Sequence, residues 1–232
     1  MAIKLGINYE LFNIDKEKTI IFLHGWGSNK EVMKTFKDSF NEYKLLFIDM
    51  PGFGKSYTDE IWNTQKYANY LDKFLKELNI DKFCIVGHSF GGKVATLLNP
   101  KYLVLLSSAG IIQEKPFNVK LKIKLFKLLK PFGGNKIRKL FVSNDAKEMS
   151  ENMYQTFKNV VDEDFSNSFS QYKGKALVFG GDQDTAVTPK SNKEIAKLLN
   201  SNLIMLTGDH YFFLNKNNLN VISKEIKKLL KG

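Results

Sequence analysis

Six short apolar runs, rich in β-branched residues, punctuate this chain, and each is closed by turn formers. They are Thr19–Leu23, Lys44–Ile48, Lys82–Val86, Tyr102–Leu106, Lys175–Phe179 and Asn202–Leu206. A strand with one wet face alternates apolar and polar residues, whereas a strand covered on both faces reads as a near-continuous apolar run. Helical patterns lie between the runs, at Asn29–Tyr43, Asn63–Leu78, Gly92–Leu98, Pro189–Leu199 and Leu219–Leu230. Strand and helix alternating this often predict an α/β fold with a mostly parallel central sheet, helices on both faces and right-handed crossovers. The opening segment, Ala2–Phe12, predicts an added edge strand or hairpin.

One stretch breaks the rhythm. Residues Ile111 to about Tyr172 contain no clear strand, and the β/α alternation resumes at Lys175. This predicts a helical cap inserted at 111–172 into a core formed by 1–110 and 173–232. Within it, Lys115–Lys139 holds nine basic residues and no acidic one. Leu121, Leu125, Leu128 and Leu129 fall there at helical spacing beside Lys120, Lys124 and Lys127. One alternative for this stretch is therefore a basic amphipathic helix on a membrane surface.

Charge and composition remove several function classes. The net charge is +11, yet Arg138 is the only arginine. Arginine is the usual residue for bidentate phosphate recognition, so the lysines read as a solvated surface and nucleic acid is not expected as a partner. No run of 18 apolar residues exists, so stable membrane insertion is not expected. Met1–Phe12 lacks the apolar centre of a signal peptide, and a lone Cys84 fits a reducing compartment; both point to a cytoplasmic protein. The 232 residues, 43% hydrophobic, suffice for one large core.

Three motifs fall at the ends of predicted strands. Gly87-His88-Ser89-Phe90-Gly91 fits G-x-S-x-G, directly after Phe83–Val86 and before the Gly92–Leu98 helix. A serine on such a strand-to-helix elbow is held in a strained conformation, and its neighbours two positions away approach too closely for side chains. The bland alternative is a glycine-rich turn with a capping serine. His24-Gly25-Trp26-Gly27 follows Ile20–Leu23, and the N–H groups of Trp26 and Phe90 could form an oxyanion hole; an ordinary turn with Trp26 in the core is the alternative. Gly180-Gly181-Asp182-Gln183-Asp184 follows Ala176–Phe179, and His210 comes 26 residues after Asp184, beyond one helix and one strand. The chain order Ser89, Asp184, His210 is that of a nucleophile-elbow enzyme. Of the three histidines, His24 and His88 belong to the other motifs, which leaves His210 as the base. Asp182 and Asp209 compete with Asp184. Asp209 adjoins His210, and neighbouring side chains usually diverge; Asp182 sits in the tight glycine turn. Sheet-end geometry favours Asp184.

Together these residues resemble the α/β-hydrolase superfamily over nearly the whole chain. The likeness includes Asp49-Met50-Pro51-Gly52-Phe53-Gly54-Lys55-Ser56, Ser107-Ser108-Ala109-Gly110 and Gly208-Asp209-His210. Small carboxylesterases and carbon–carbon bond hydrolases are the nearest look-alikes. The resemblance implies a triad of Ser89, Asp184 and His210, an oxyanion hole at Trp26 and Phe90, and no cofactor or metal. A serine nucleophile argues against haloalkane dehalogenases and epoxide hydrolases, which use Asp there. Pro100 stops the helix after the elbow early, and Asp209 stands before the base where a small residue is more usual.

Gly54-Lys55-Ser56 lacks the glycine five positions upstream that a phosphate loop needs, because that position is Asp49. Ala186 and Val187 break a calcium-loop pattern at Asp182 and Asp184. The expectation is a serine hydrolase that cleaves an ester or similar small acyl substrate through an acyl-enzyme. Trp26, Phe90, Phe212 and Phe213 are expected in the substrate pocket, with plain core packing the alternative for the last two. The rival functions are a carbon–carbon bond hydrolase or acyltransferase with the same triad, and a non-catalytic small-molecule receptor.

Overall fold

The computed structural model describes residues 2–112 and 150–231. Eight strands form one sheet in the order β1-β2-β4-β3-β5-β6-β7-β8. They are β1 (Ala2–Lys4), β2 (Ile7–Phe12), β3 (Thr19–Leu23), β4 (Lys44–Ile48), β5 (Cys84–His88), β6 (Tyr102–Leu106), β7 (Lys175–Gly181) and β8 (Asn202–Leu206). From β3 to β8 every pairing is parallel. The N-terminal hairpin β1–β2 adds antiparallel to β4, so the opening segment is the edge hairpin that the sequence predicts.

Alternate residues along the central strands enter two separate cores. Ile21, Leu23, Leu46, Ile48, Ile85, Leu103 and Leu105 face one layer. There they pack against α2 (Thr64–Glu77), α3 (Phe90–Leu98) and α6 (Pro189–Leu198). Ile20, Phe22, Leu45, Phe47, Val86, Val104 and Leu106 face the other, with α1 (Lys30–Met33), the 3₁₀ segments Lys34–Ser39 and Phe212–Leu214, and α7 (Lys216–Lys231). A strand with helices on both sides has no wet face, which is why these runs are apolar throughout.

Two boundaries differ from the sequence expectation. The pattern Asn29–Tyr43 resolves into the short α1 and a 3₁₀ segment rather than one α-helix. Met33 and Phe36, three residues apart, are both fully buried, and a 3₁₀ turn brings such residues to one side. Strand β5 runs two residues later than Lys82–Val86, because Gly87 and His88 still pair with Leu105 and Leu106.

Of the expected insertion at 111–172, residues 113–149 lie outside the described residues, and with them the whole Lys115–Lys139 stretch. The described remainder holds α4 (Glu151–Val161) and α5 (Ser166–Gln171). Lys93, buried in α3, ties this part down: its ammonium donates to the carbonyl oxygen of Val160 at 2.5 Å and pairs with Glu163 at 3.1 Å. No described helix is long and apolar enough to cross a membrane.

Strand order reverses at β3, whose neighbours are β4 on one side and β5 on the other. Connections leave β3 and β5 in opposite directions there, which opens a crevice at the carboxyl ends of the strands. The loops after β3, β5, β7 and β8 carry the three sequence motifs to this edge.

Candidate active site

Ser89 follows β5 and immediately precedes α3, with φ 52° and ψ −115°. A non-glycine residue there costs on the order of 1–3 kcal/mol and persists only where its surroundings over-determine it. The surroundings do so. The Ser89 N–H donates to Leu106 O at 3.1 Å, and its carbonyl accepts from Gly92 N at 3.0 Å and Ala109 N at 3.1 Å. The flanking glycines are obligatory. A Cβ on Gly87 would lie 2.5 Å from Gly91 O, and one on Gly91 would lie 2.5 Å from the carbonyl oxygens of Leu23 and His24.

Asp184 and His210 meet across the loops after β7 and β8. His210 Nδ1 donates to Asp184 Oδ2 at 2.8 Å. The other oxygen of Asp184, Oδ1, accepts from the amides of Ala186 at 2.8 Å and Val187 at 2.9 Å. Burial opposes the charge on this carboxylate, but the His210 hydrogen bond, the Val187 amide and the nearby Ser107 hydroxyl outweigh it, holding the carboxyl below its ordinary value. The Ser107 Oγ is buried without a hydrogen bond of its own among the described residues, so it acts on Asp184 as a close dipole, the weakest of these influences.

The competing carboxylates do other work. Asp182 Oδ1 accepts from Gly208 N at 2.9 Å and staples the two loops together. Asp209 Oδ1 accepts from Tyr211 N at 2.8 Å and closes a local turn.

The loop after β3 lies against the elbow. A Cβ on Gly25 would come within 3.2 Å of Ser89 Cβ. His24 sets this loop. A carbonyl can only accept, so Nδ1–H of His24 donates to Gly25 O at 2.7 Å, and Nε2 accepts from Met50 N at 3.0 Å. Among the described residues no peptide bond is cis, so anchoring the Gly25 carbonyl aims the Trp26 N–H the opposite way. The Phe90 N–H, first in α3, has no partner within its helix. Burial keeps His24 neutral by lowering its pKa to about 4, against the opposing pull of Gly25 and Asp49.

Trp26 packs edge-on to Phe53 (ring centroids 4.8 Å apart) and to Phe90 (5.5 Å), and leans on Phe157 of α4 at 5.3 Å. Beside it opens a cavity of about 520 Å³ lined by Trp26, Gly27, Phe53, Tyr57 and Met153 among others. Phe212 and Phe213 are placed differently. They are 3% and 0% exposed, and Phe213 stacks on Phe36 at 6.0 Å within the core beneath the site. Their setting is the packing alternative that the sequence left open.

Sequence reasoning passed over two groups. Lys30, only 2% exposed, pairs with Asp49 at 3.1 Å and donates to Asn8 at 2.6 Å, anchoring the loop after β4. A lysine in an amphipathic pattern gave no sign of burial. The other group is His88, treated below. Among the described residues no cluster of three or more His, Cys, Asp or Glu is placed to hold a metal.

A mostly parallel sheet with helices on both faces, an elbow serine after β5 and an Asp–His pair after β7 and β8 define an α/β-hydrolase-fold protein. A family model described as the alpha/beta hydrolase fold matches residues 18–109. An Escherichia coli 2-succinyl-6-hydroxy-2,4-cyclohexadiene-1-carboxylate synthase is 33% identical over 95 residues, which is 41% of this chain and 37% of the relative. A 2-hydroxy-6-oxo-6-(2'-aminophenyl)hexa-2,4-dienoic acid hydrolase from Metapseudomonas resinovorans is 31% identical over 47% of this chain and 42% of its own length. The matches thus span well under half of these curated relatives. An esterase from Exiguobacterium antarcticum superposes with a TM-score of 0.75 over 97% of this chain and 96% of its own, at 19% identity.

Proposed function

We propose that this chain is a cofactor-independent serine hydrolase acting on an ester or similar small acyl substrate. The observation that carries the reading is the His210–Asp184 hydrogen bond of 2.8 Å at the sheet edge that also holds the strained Ser89. Ser89 Oγ attacks the acyl carbon as His210 Nε2 takes its proton. Asp184 keeps the imidazole in the Nδ1–H tautomer and stabilises its charged form. The N–H groups of Trp26 and Phe90 receive the developing oxyanion, each contributing about 3–4 kcal/mol in the transition state. His210 then protonates the leaving group and activates the water that releases the acid. The cavity at Trp26 and Phe53 takes an apolar part of the substrate. Of the described residues, α4 covers the site on the Trp26 side, through Phe157.

A second reading, a carbon–carbon bond hydrolase with the same three residues, is favoured by the Metapseudomonas relative, whose named acid contains no ester. A panel of p-nitrophenyl esters from acetate to decanoate, with Ser89→Ala as control, tests the first reading. Ester turnover that disappears in the control supports it. Silence on every ester, with Ser89-dependent bleaching of a hydroxy-oxo-dienoic acid chromophore, moves the assignment to the second.

A further inference from the structure

His88, the residue before the elbow serine, is fully buried, and the proposed chemistry gives it no task. Its ring lies against the loops after β3 and β8. Nε2 lies 3.0 Å from the backbone carbonyl oxygen of His210. Its ring centroid is 4.6 Å from that of His210, 5.1 Å from Tyr211 and 4.9 Å from Phe213. Its Nδ1 would lie 3.0 Å from a Cβ built on Gly25, so the oxyanion loop closes directly over it.

We propose that His88 is a positioning residue for the base: its Nε2–H holds the His210 carbonyl, and so fixes where the loop after β8 presents the His210 ring. The inference rests on the triad reading above.

The tautomer follows from the contacts. The His210 carbonyl accepts, so Nε2 carries the proton, and Nδ1 is left as a buried acceptor with no partner among the described residues. A proton on Nδ1 would place a second charge in an apolar wall already facing His210, Asp184 and His24. Burial, reinforced by His210, pushes the His88 pKa down to about 3, against the smaller opposing pull of the His210 carbonyl and Asp184. His88 therefore stays a neutral donor while His210 changes charge beside it. The bond spans 122 positions of sequence, from β5 to the loop after β8. Asp184 steers the His210 ring through Nδ1, and hydrogen bonds at Gly208, Tyr211 and Phe212 hold the loop on either side. The His88 bond adds a hold on the backbone at His210 itself. A displacement of order 1 Å at a reacting group costs roughly 100-fold in rate.

The test compares His88→Leu, which removes the donor, with His88→Gln, whose side-chain amide can donate from nearly the same place. Active sites are counted with a fluorophosphonate probe, and kcat and KM are measured on the best p-nitrophenyl ester. The expected result is a fall in kcat per labelled site of about 10- to 100-fold in His88→Leu with KM changed less than threefold, and recovery of most of it in His88→Gln. The far-downfield proton signal of His210 Nδ1–H should broaden or move in the first variant and return in the second. Wild-type kcat in folded His88→Leu, or equal losses in both variants with an unmoved proton signal, overturns the proposal and leaves His88 as packing. If wild-type Ser89 neither labels nor is needed for turnover, the triad reading fails and this inference falls with it.

Discussion

Two neutral buried histidines make the fold sensitive to mild acid. His24 and His88 are fully buried, with pKa values pushed down to about 4 and about 3 by burial. In the unfolded chain each titrates near its ordinary value of about 6.5. A histidine whose folded pKa is lowered binds its proton first in the unfolded state, so stability falls as pH drops through about 6.5 and keeps falling down to the folded pKa. At pH 5 the unfolded chain gains about 2 kcal/mol from each of these two groups, roughly 4 kcal/mol together. The figure is set almost wholly by the unfolded-state value, since both folded values lie below pH 5. Asp184 adds nothing in this window. Its carboxyl is lowered in the fold, so its contribution is present above about pH 4 and is lost only as pH falls further. Urea unfolding followed by tryptophan fluorescence between pH 7.5 and 5.0 should show the midpoint falling, with close to two protons taken up per molecule on unfolding near pH 5. His24→Gln and His88→Gln should each remove about one of them. A stability flat to within 1 kcal/mol between pH 7.5 and 5.0 would refute the reasoning, because it would mean that these histidines are already accessible to protons in the folded chain.

Further outcomes follow from the site and its supports. Ser89→Ala should keep the native circular dichroism spectrum and lose esterase turnover by about 10⁴-fold or more; substantial residual turnover would remove Ser89 from the chemistry. Asp184→Asn should lose turnover by roughly 10⁴ because the His210 tautomer is no longer held, whereas Asp182→Asn and Asp209→Asn, which bond only backbone amides of Gly208 and Tyr211, should lose much less under the same assay. Asp49→Ala removes the nearest carboxylate from the buried Lys30 ammonium, leaving it Asn8 and the more distant Glu10 and Glu31, and should cost about 1.5–3 kcal/mol in denaturant unfolding, part of which should return when Lys30→Met is added to remove the ammonium as well.

Much of this molecule was written locally. The bounds of β3, β4 and β6 coincide with the apolar runs of the sequence, since burial on both faces leaves almost no polar position to blur them; the partly exposed edge strand β8 keeps its sequence bounds too. The elbow was legible because strain at one residue and close approach at its two glycines demand particular residue types at fixed spacing. The helix that the sequence places from Pro189 begins there, with Pro189 in the first turn; the Thr188 side chain, no part of that expectation, caps it by accepting from Ser191 N. Long-range proximity was not written in that way. Three aspartates, Asp182, Asp184 and Asp209, competed for the base in the sequence, which favoured Asp184; the pairing of β7 with β8 is what sets its Oδ2 2.8 Å from His210 Nδ1. Phe212 and Phe213 read equally as pocket or core until α7 and the 3₁₀ turn at Lys34–Ser39 closed over them. Lys30 and His88 gave no signal of their roles, because each depends on partners brought from other strands: Asp49 and Asn8 for the first, the His210 carbonyl for the second. Period and turn chemistry depend on neighbours along the chain, whereas the direction of a buried hydrogen bond depends on which strands lie side by side, and that order is settled only when the sheet assembles.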